Sequence, residues 1–415
     1  MNKLTIYLAR FAPVLSVFGP ATIAAIADND AAGVATYSLA GAQFGYSILF
    51  VLFLTTLLLG LTQEMGARIG LVSGKGLGDL IRERYGIRWS VLVFGCLMIA
   101  NMGTILADFA ALKSVSSLFH FPAVPLIIAT IIIAFLFVSR GNYKINQKLF
   151  LFGTFLYFAY VFSAFKSSPN WALAFKSVFI PTDIHFSPQF LIGSIAVLGT
   201  TITPWGQFFI QSFVIDKKSS VEKIKFTQIE TYFGAFLTNF FSFFMIVATA
   251  ATLHAHNIIL FSGEQAAIAI RPFAGDLAAL LFGIGLLNAA FMGIVIIALS
   301  TAYAFSEFFG FEGSLDVPFE RGKLFYGIFL FQLIICGVIV ILPSISLFKI
   351  VFYTQSLNGL LLPIIFFFLL KIANDKELMG KFKNKKWYNY AAVFATIIII
   401  LASSFAIVSS FIPNP

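Results

Sequence analysis

The chain has 415 residues, of which 59% are hydrophobic and only 11% charged, with 52 phenylalanines and a mean hydropathy of +0.94. That excludes a soluble globule, in which roughly 25% of residues are charged, and a disordered chain, which is polar and charge-rich. Two distant cysteines, Cys96 and Cys336, exclude a disulfide scaffold, and the net charge of +9 must be judged by where the basic residues fall.

The apolar runs continue for ~20 residues rather than alternating over ~10, so they predict membrane-spanning helices and not barrel strands. In chain order the spans are expected near 11–35, 45–67, 89–112, 121–139, 147–165, 189–214, 229–252, 278–305, 324–342, 346–370 and 388–411. The first opens with Lys3 and Arg10 and runs to Ala25-Ile26-Ala27, which imitates a secretory signal. Pro13 and Gly19-Pro20 interrupt its apolar core, and Asp28-Asn29-Asp30 leads into more membrane-like sequence, so cleavage is not expected. No stretch is long enough to form a separate soluble domain. The longest polar segment, 371–387, reads as a loop.

Eleven spans put the termini on opposite sides. Of the 27 Lys and Arg residues, 22 fall in the N-terminal segment and the even-numbered loops, and the other set holds Lys113, Lys166, Lys176, Arg271 and Lys349. This bias predicts a cytoplasmic N-terminus and an external C-terminus. It also makes the basic charge topogenic and lipid-facing. The basic residues are scattered over short loops without a binding motif, so no nucleic-acid partner is expected.

An ionisable side chain within a span costs roughly 2.5–3.5 kcal/mol on insertion scales, which makes such residues the informative ones. Asp28 and Asp30 lie in the first span, Glu64 in the second and Asp108 in the third, with Glu230 and Glu307 nearer helix ends. Asp28, Asp30 and Asp108 lie deepest, and no basic residue shares their depth. Lys113 is five residues past Asp108, beyond the favoured i,i+4 contact, and is expected to snorkel. An acidic cluster without a counter-charge implies a site for a cation supplied from outside.

Asp28-Asn29-Asp30-Ala31-Ala32-Gly33 favours a turn over a helix, so the first span should break there. Carbonyls freed by such a break, Ala27 among them, can ligate a cation. The sixth span reads Gly199-Thr200-Thr201-Ile202-Thr203-Pro204-Trp205-Gly206-Gln207. Pro204 removes a helical hydrogen bond and Gly206 weakens the helix further. Thr201, Thr203 and Gln207 offer neutral oxygens. A single proline kink is an ordinary structural feature of membrane helices. Two interrupted spans five apart, one bearing two aspartates, are the pointer to an all-α, LeuT-like 5+5 inverted repeat with its site between broken helices.

The first repeat would cover about 11–165, the second about 189–370, and 388–411 would be an extra C-terminal helix, all within one transport domain. The symmetry is in hydropathy alone. In the tenth span Gln355 and Asn358 are either ligands or helix–helix glue. Glu64 could meet Arg68 at i+4 and reads as structural or gating. His254 and His256 are too sparse for a metal site, and Gly41 and Gly45 have a spacing suited to close helix packing.

The segment Ala40-Gly41-Ala42-Gln43-Phe44-Gly45-Tyr46 after a broken first span, then Ala67-Arg68-Ile69-Gly70, Gly74-Lys75 and Arg82-Glu83-Arg84-Tyr85, resembles the Nramp family of divalent-metal transporters. The similarity runs on through Asn374-Asp375-Lys376-Glu377-Leu378-Met379-Gly380, over nearly the whole chain. Nramp manganese and iron transporters carry Asp-Pro-Gly-Asn in the first span, where this chain has Asp30-Ala31-Ala32-Gly33, so the aspartate matches and the asparagine is lost. Their Met-Pro-His is Thr203-Pro204-Trp205 here, and their later sixth-span histidine falls near Ile210-Gln211. Their Asp-x-x-Glu pair in the third span is Ile105-Leu106-Ala107-Asp108.

These changes look like the Nramp-related magnesium transporter branch. The resemblance implies wider sites, a metal that keeps much of its hydration, and no proton coupling. The ligand chemistry agrees, since oxygen donors suit hard ions and Mg²⁺ dehydrates reluctantly. The expected cation site is Asp30, Asp28, Asn29, Ala27, Thr203, Thr201, Gln207, Asp108 and Gln355.

The expected function is Mg²⁺ and Mn²⁺ uptake, with the ion as substrate, membrane lipid as surroundings and no cofactor. The alternative is a proton-coupled Mn²⁺/Fe²⁺ symporter of the ordinary Nramp kind. An organic-substrate carrier on the same plan is disfavoured because two aspartates at the break would repel an anionic group. An enzyme is not expected. The chain has no His-Glu-x-x-His, Gly-x-Ser-x-Gly or Cys-x-x-Cys motif, and Gly74-Lys75-Gly76 lacks a phosphate-loop context. The loops leave little surface for a sensor or scaffold. Short loops and the lack of targeting extensions lean toward a bacterial cytoplasmic membrane, and the sequence leaves oligomeric state open.

Overall fold

The computed structural model describes residues 19–182, 187–218, 220–258, 260, 266, 271–342 and 347–411, and every long element among them is helical. Helices lie at all eleven segments expected from hydropathy. The part of the first span before residue 19 lies outside the described residues.

The first span is two helices, α1 (Pro20–Ala27) and α2 (Ala31–Phe44). Pro20 sits in the first turn of α1, where its missing N–H costs nothing. The second half runs to Phe44 and not to residue 35, because nothing between Ala31 and Phe44 breaks a helix until Gly45. There the backbone turns at φ +60°, a conformation that favours glycine. α3 (Leu49–Ser73), the short α4 (Leu77–Tyr85), α5 (Ile87–Leu118) and α6 (Ala123–Arg140) follow.

The fifth span is divided at Tyr157 into α7 (Tyr143–Leu156) and α8 (Phe158–Lys166), and α9 (Trp171–Phe179) follows outside it. The sixth span is two helices, α10 (Pro188–Thr201) and α11 (Pro204–Asp216). Then come α12 (Ile224–Thr252), α13 (Asp276–Phe309), α14 (Lys323–Ile341), α15 (Leu347–Ala373) and α16 (Lys386–Phe411).

Seven stretches among the described residues are each long and apolar enough to cross a membrane unaided. The two halves of the sixth span, of 14 and 13 residues, are individually too short and must span together. α5 packs mainly on α13 and α15, and α12 packs on α1, α2 and α3. The broken helices are therefore held between continuous ones. Close approach requires glycine at Gly41, where a Cβ would lie 2.5 Å from the Ile246 carbonyl oxygen of α12. The outer faces are apolar, as at Ile128, Ile132 and Phe152, and suit lipid.

Polar ties gather at the helix ends. Arg68 pairs with Glu64 at 2.8 Å, the expected i,i+4 contact, and also reaches Asn384 at 2.7 Å, tying α3 to the segment before α16. Glu230 of α12 accepts from the Ala21 N–H at 2.8 Å and from Lys217 at 3.0 Å, fastening the start of α1 to α11 and α12. Lys218, just past α11, lies 2.8 Å from Asp316 in the loop after α13 and holds that carboxyl below the usual carboxylate range. Lys113 donates to the Val340 carbonyl at 3.3 Å instead of reaching out freely.

Candidate cation site between the two broken helices

Each break ends one helix and starts another, and each restart is capped by a side chain. Asp30 is extended (φ −60°, ψ 176°), and its Oδ1 accepts from the Gly33 N–H at 2.6 Å, capping α2. Thr203 is likewise extended, and its hydroxyl accepts from the Gly206 N–H at 3.3 Å, capping α11. Both use a short side-chain oxygen to satisfy one of the orphan donors of a helix start. Pro204 at the first position of α11 has no N–H to orphan.

The breaks also strip carbonyls of their helical donors. In a continuous helix the Ala31 N–H would bond the Ala27 carbonyl. Here it donates to Asp108 Oδ1 at 2.9 Å, across from α5. Proline at 204 likewise leaves the Thr200 carbonyl without its i+4 donor. The two helix C-termini, of α1 and α10, so present carbonyls and the negative ends of their dipoles toward the gap.

Asp28 joins the two broken spans. Its Oδ1 accepts from the Thr203 hydroxyl at 2.9 Å, and its Oδ2 from Gln63 Nε2 of α3 at 3.1 Å. Asp30 and Asp108 form a second acidic pair. A Cβ on Gly293 of α13 would fall 2.7 Å from Asp30 Cβ and 2.9 Å from Asp108 Cγ, so α13 closes over both. All three aspartates are buried, and Asp108 Oδ2 has no hydrogen-bond partner. Among the described residues no three His, Cys, Asp or Glu side chains form one metal-holding group.

The remaining expected ligands divide. Gln207, one turn below Thr203, is fully buried, and neither of its carboxamide atoms has a partner. Thr201 donates to the Val197 carbonyl at 2.6 Å and shares a 2.8 Å hydrogen bond with the Tyr37 hydroxyl, bracing α10 against α2. Asn29 has its side chain on α12. Its Nδ2 donates to the Thr238 carbonyl and its Oδ1 accepts from Ser242, both at 2.8 Å. Tyr157, at the bend of the fifth span, donates to the Asn29 carbonyl at 2.8 Å. The structure thus engages Asn29 in holding the break. Gln355 lies on α15, and its side chain is outside the described residues.

Gln63, Tyr157, Ser242 and Gly293 are not among the expected site residues. Each acts through a partner far along the chain, and only Gln63, a polar residue within an apolar run, could have been singled out.

The arrangement offers carboxylate, hydroxyl, carboxamide and backbone oxygens in a gap between half-helices. That donor set suits a hard cation, which prefers oxygen ligands.

The sequence model described as "Natural resistance-associated macrophage protein-like", Nramp, matches residues 21–409. A protein from Levilactobacillus brevis named "Divalent metal cation transporter MntH" is 25% identical over 420 residues, covering 94% of this chain and 88% of the relative. A protein of the same name from Yersinia pestis is 26% identical over 405 residues, covering 95% of each. Among solved structures, the Eremococcus coleocola manganese transporter superposes with a TM-score of 0.75 at 21% identity, over 97% of this chain and 88% of that one. A Na⁺-coupled sialic acid symporter superposes with a TM-score of 0.50 at 14% identity, over 97% and 96%. The common fold is the LeuT-like one.

The closure over the acidic pair generates a test. Gly293→Ala should lower the melting temperature of the purified protein, at an overpacking cost of about 1–3 kcal/mol. The loss should shrink in an Asp108→Ala background, where the clashing carboxyl is gone. Equal losses in both backgrounds would show that the methyl does not meet Asp108.

Proposed function

The chain belongs to the Nramp family, and on that premise we propose that it carries divalent metal cations across a membrane, with Mg²⁺ and Mn²⁺ as substrates and without proton coupling. The family and the fold are those of a transporter and not of an enzyme. Both MntH relatives are named divalent metal cation transporters. The reading puts the chain in a bacterial cytoplasmic membrane with its N-terminus inside and C-terminus outside, as the basic-residue bias favours. One transport domain is made of repeats near 11–165 and 189–370, with α16 as an addition.

The observation that carries the ion preference is Asp28, hydrogen-bonded to the Thr203 hydroxyl, with Gln63 on its other oxygen. The family's manganese and iron transporters carry a thioether where Thr203 stands. A hydroxyl lacks the soft donor that helps select transition metals over Mg²⁺. Mg²⁺ demands near-octahedral oxygen coordination and keeps several waters, so it needs only one or two carboxylates. Asp30 and Asp28 are the principal ligands in this reading. Asp108, Thr203, Gln207, Thr201 and the Ala27 carbonyl complete an inner and outer sphere, with Asn29 as a brace.

The ion enters from the side opposite Lys217. A cavity of about 630 Å³ lies there, with Gln43, Ser47, Asn170 and His254 among its lining residues. At the other end Glu230 fastens the start of α1 to Lys217 and α12, in keeping with entry from the cavity side. An inside-negative potential of 100 mV supplies about 4.6 kcal/mol to a divalent ion, so influx needs no second driving ion.

One observation favours the proton-coupled Mn²⁺/Fe²⁺ alternative. Asp108 Oδ2 is buried without a partner, and such a group beside an ion site is able to take up a proton.

Two experiments decide. Purified protein in liposomes under an inside-negative potential should admit Mg²⁺ saturably with no change in lumenal pH, and Asp30→Ala should reduce the flux to that of empty vesicles. Mn²⁺ entry with acidification and no Mg²⁺ entry would instead establish the alternative. Thr203→Met should raise the Mn²⁺-to-Mg²⁺ flux ratio about tenfold, equivalent to ~1.4 kcal/mol of selectivity. An unchanged ratio would remove Thr203 from the ion's surroundings.

A further inference from the structure

Below the site, α11 continues a polar line that the ligand set does not use to its end. Thr203, Gln207 and Gln211 are spaced i, i+4 and i+8, which puts them on one face of the helix. Eight residues of α-helix span about 12 Å, so Gln211 lies about 12 Å from the level of Thr203, toward the Lys217 end.

This part of α11 packs on α3 through glycines. A Cβ at Gly66 would lie 3.0 Å from the Ile210 side chain and 3.7 Å from Gln211 Cγ. At Gly70 a Cβ would lie 3.0 Å from the Gln211 carbonyl oxygen. α3 adds Gln63 one turn above Gly66. Together Gln63 Oε1 and both carboxamide atoms of Gln207 and of Gln211 make five buried polar atoms without a protein partner. Gln207 and Gln211 are 0% exposed.

Buried carboxamides are normally hydrogen-bonded, and lipid offers neither donor nor acceptor. Water and hydrated ions do. A carboxamide accepts from the water shell of a cation without adding charge, so it stabilises a hydrated ion weakly enough to let it go.

We propose that Gln207 and Gln211, along the α3–α11 seam, form a second resting position for a hydrated divalent cation, occupied after it leaves Asp28 and before it reaches the cytoplasm. The inference rests on the cation-transport reading above. The site is outer-sphere: both glutamines contact water held by the ion. Gln211 is then a residue for release and not for capture, and Asp28 keeps the affinity-setting role.

The test compares Gln211→Leu, Gln211→Asn and Gln211→Glu with the unaltered protein in Mn²⁺ flux into liposomes and in equilibrium Mn²⁺ binding by electron paramagnetic resonance. Gln211→Leu should lower maximal flux about tenfold, a barrier rise of ~1.4 kcal/mol, with the affinity of the Asp28 site unchanged. Gln211→Asn, which keeps a carboxamide, should retain most of the flux. Gln211→Glu should bind one more Mn²⁺ per chain than the unaltered protein, because a carboxylate traps an ion that a carboxamide only passes. Unchanged flux in Gln211→Leu, or no added Mn²⁺ in Gln211→Glu, would overturn the inference and leave the seam as a holder of structural water. Flux lost equally in the Leu and Asn variants would also overturn it, as a packing effect. Absence of divalent flux in the unaltered protein would instead overturn the transport reading itself.

Discussion

A helix cannot be broken inside a hydrocarbon layer unless the freed backbone groups find partners in the protein, because lipid supplies none. This chain breaks two. At the first break the Ala31 N–H goes to Asp108, the Gly33 N–H to Asp30 and the Asn29 carbonyl to Tyr157. At the second, the Gly206 N–H goes to Thr203. Three of these partners, Asp108, Asp30 and Thr203, belong to the candidate ion site. In the proposed reading, structural repair and ligand supply share these atoms, so changing one of these residues for one purpose would have consequences for the other.

That double use shapes what the acids have left to offer. Asp28 has one oxygen engaged by Thr203 and the other by Gln63, while Asp30 gives one oxygen to its own helix cap. None is paired with a Lys or Arg; the ion pairs lie elsewhere, at Glu64 with Arg68 and Glu230 with Lys217. Neutral donors orient the carboxylates without cancelling their charge. An arginine at the same place would have satisfied them and abolished their attraction for a cation.

The fold was legible in the sequence wherever it depended on local chemistry. Runs of apolar residues located the spans. Asp28-Asn29-Asp30 marked the first break and Thr203-Pro204 the second, since turn-forming and donor-deficient residues act on their own backbone. The Glu64–Arg68 pair was legible for the same reason, being one turn apart. The side-chain directions at the break were not. Asn29 stands among the candidate ligands, yet its side chain is on Thr238 and Ser242, more than two hundred positions away. Gln63 and Gly293 meet the site by helix–helix packing, and a single sequence carries no trace of which faces meet. Tyr157 was one apolar-span residue among many until its hydroxyl was placed against Asn29.

The same packing sets how an ion could move. α1 is only eight residues long and is anchored at one end by Glu230, while its other end carries Asp28. A short rod fixed at its N-terminal end by a tie to α11 and α12 would move as a unit if that tie opened. The carboxylate at its C-terminal end would then shift relative to α3 and α11, and the hydrogen bonds from Thr203 and Gln63 would be the ones stretched. An ion bound at Asp28 would lose part of its coordination as the path beneath it opens. In the proposed transport reading, release and gating would thus follow from one motion, made possible by the break between α1 and α2.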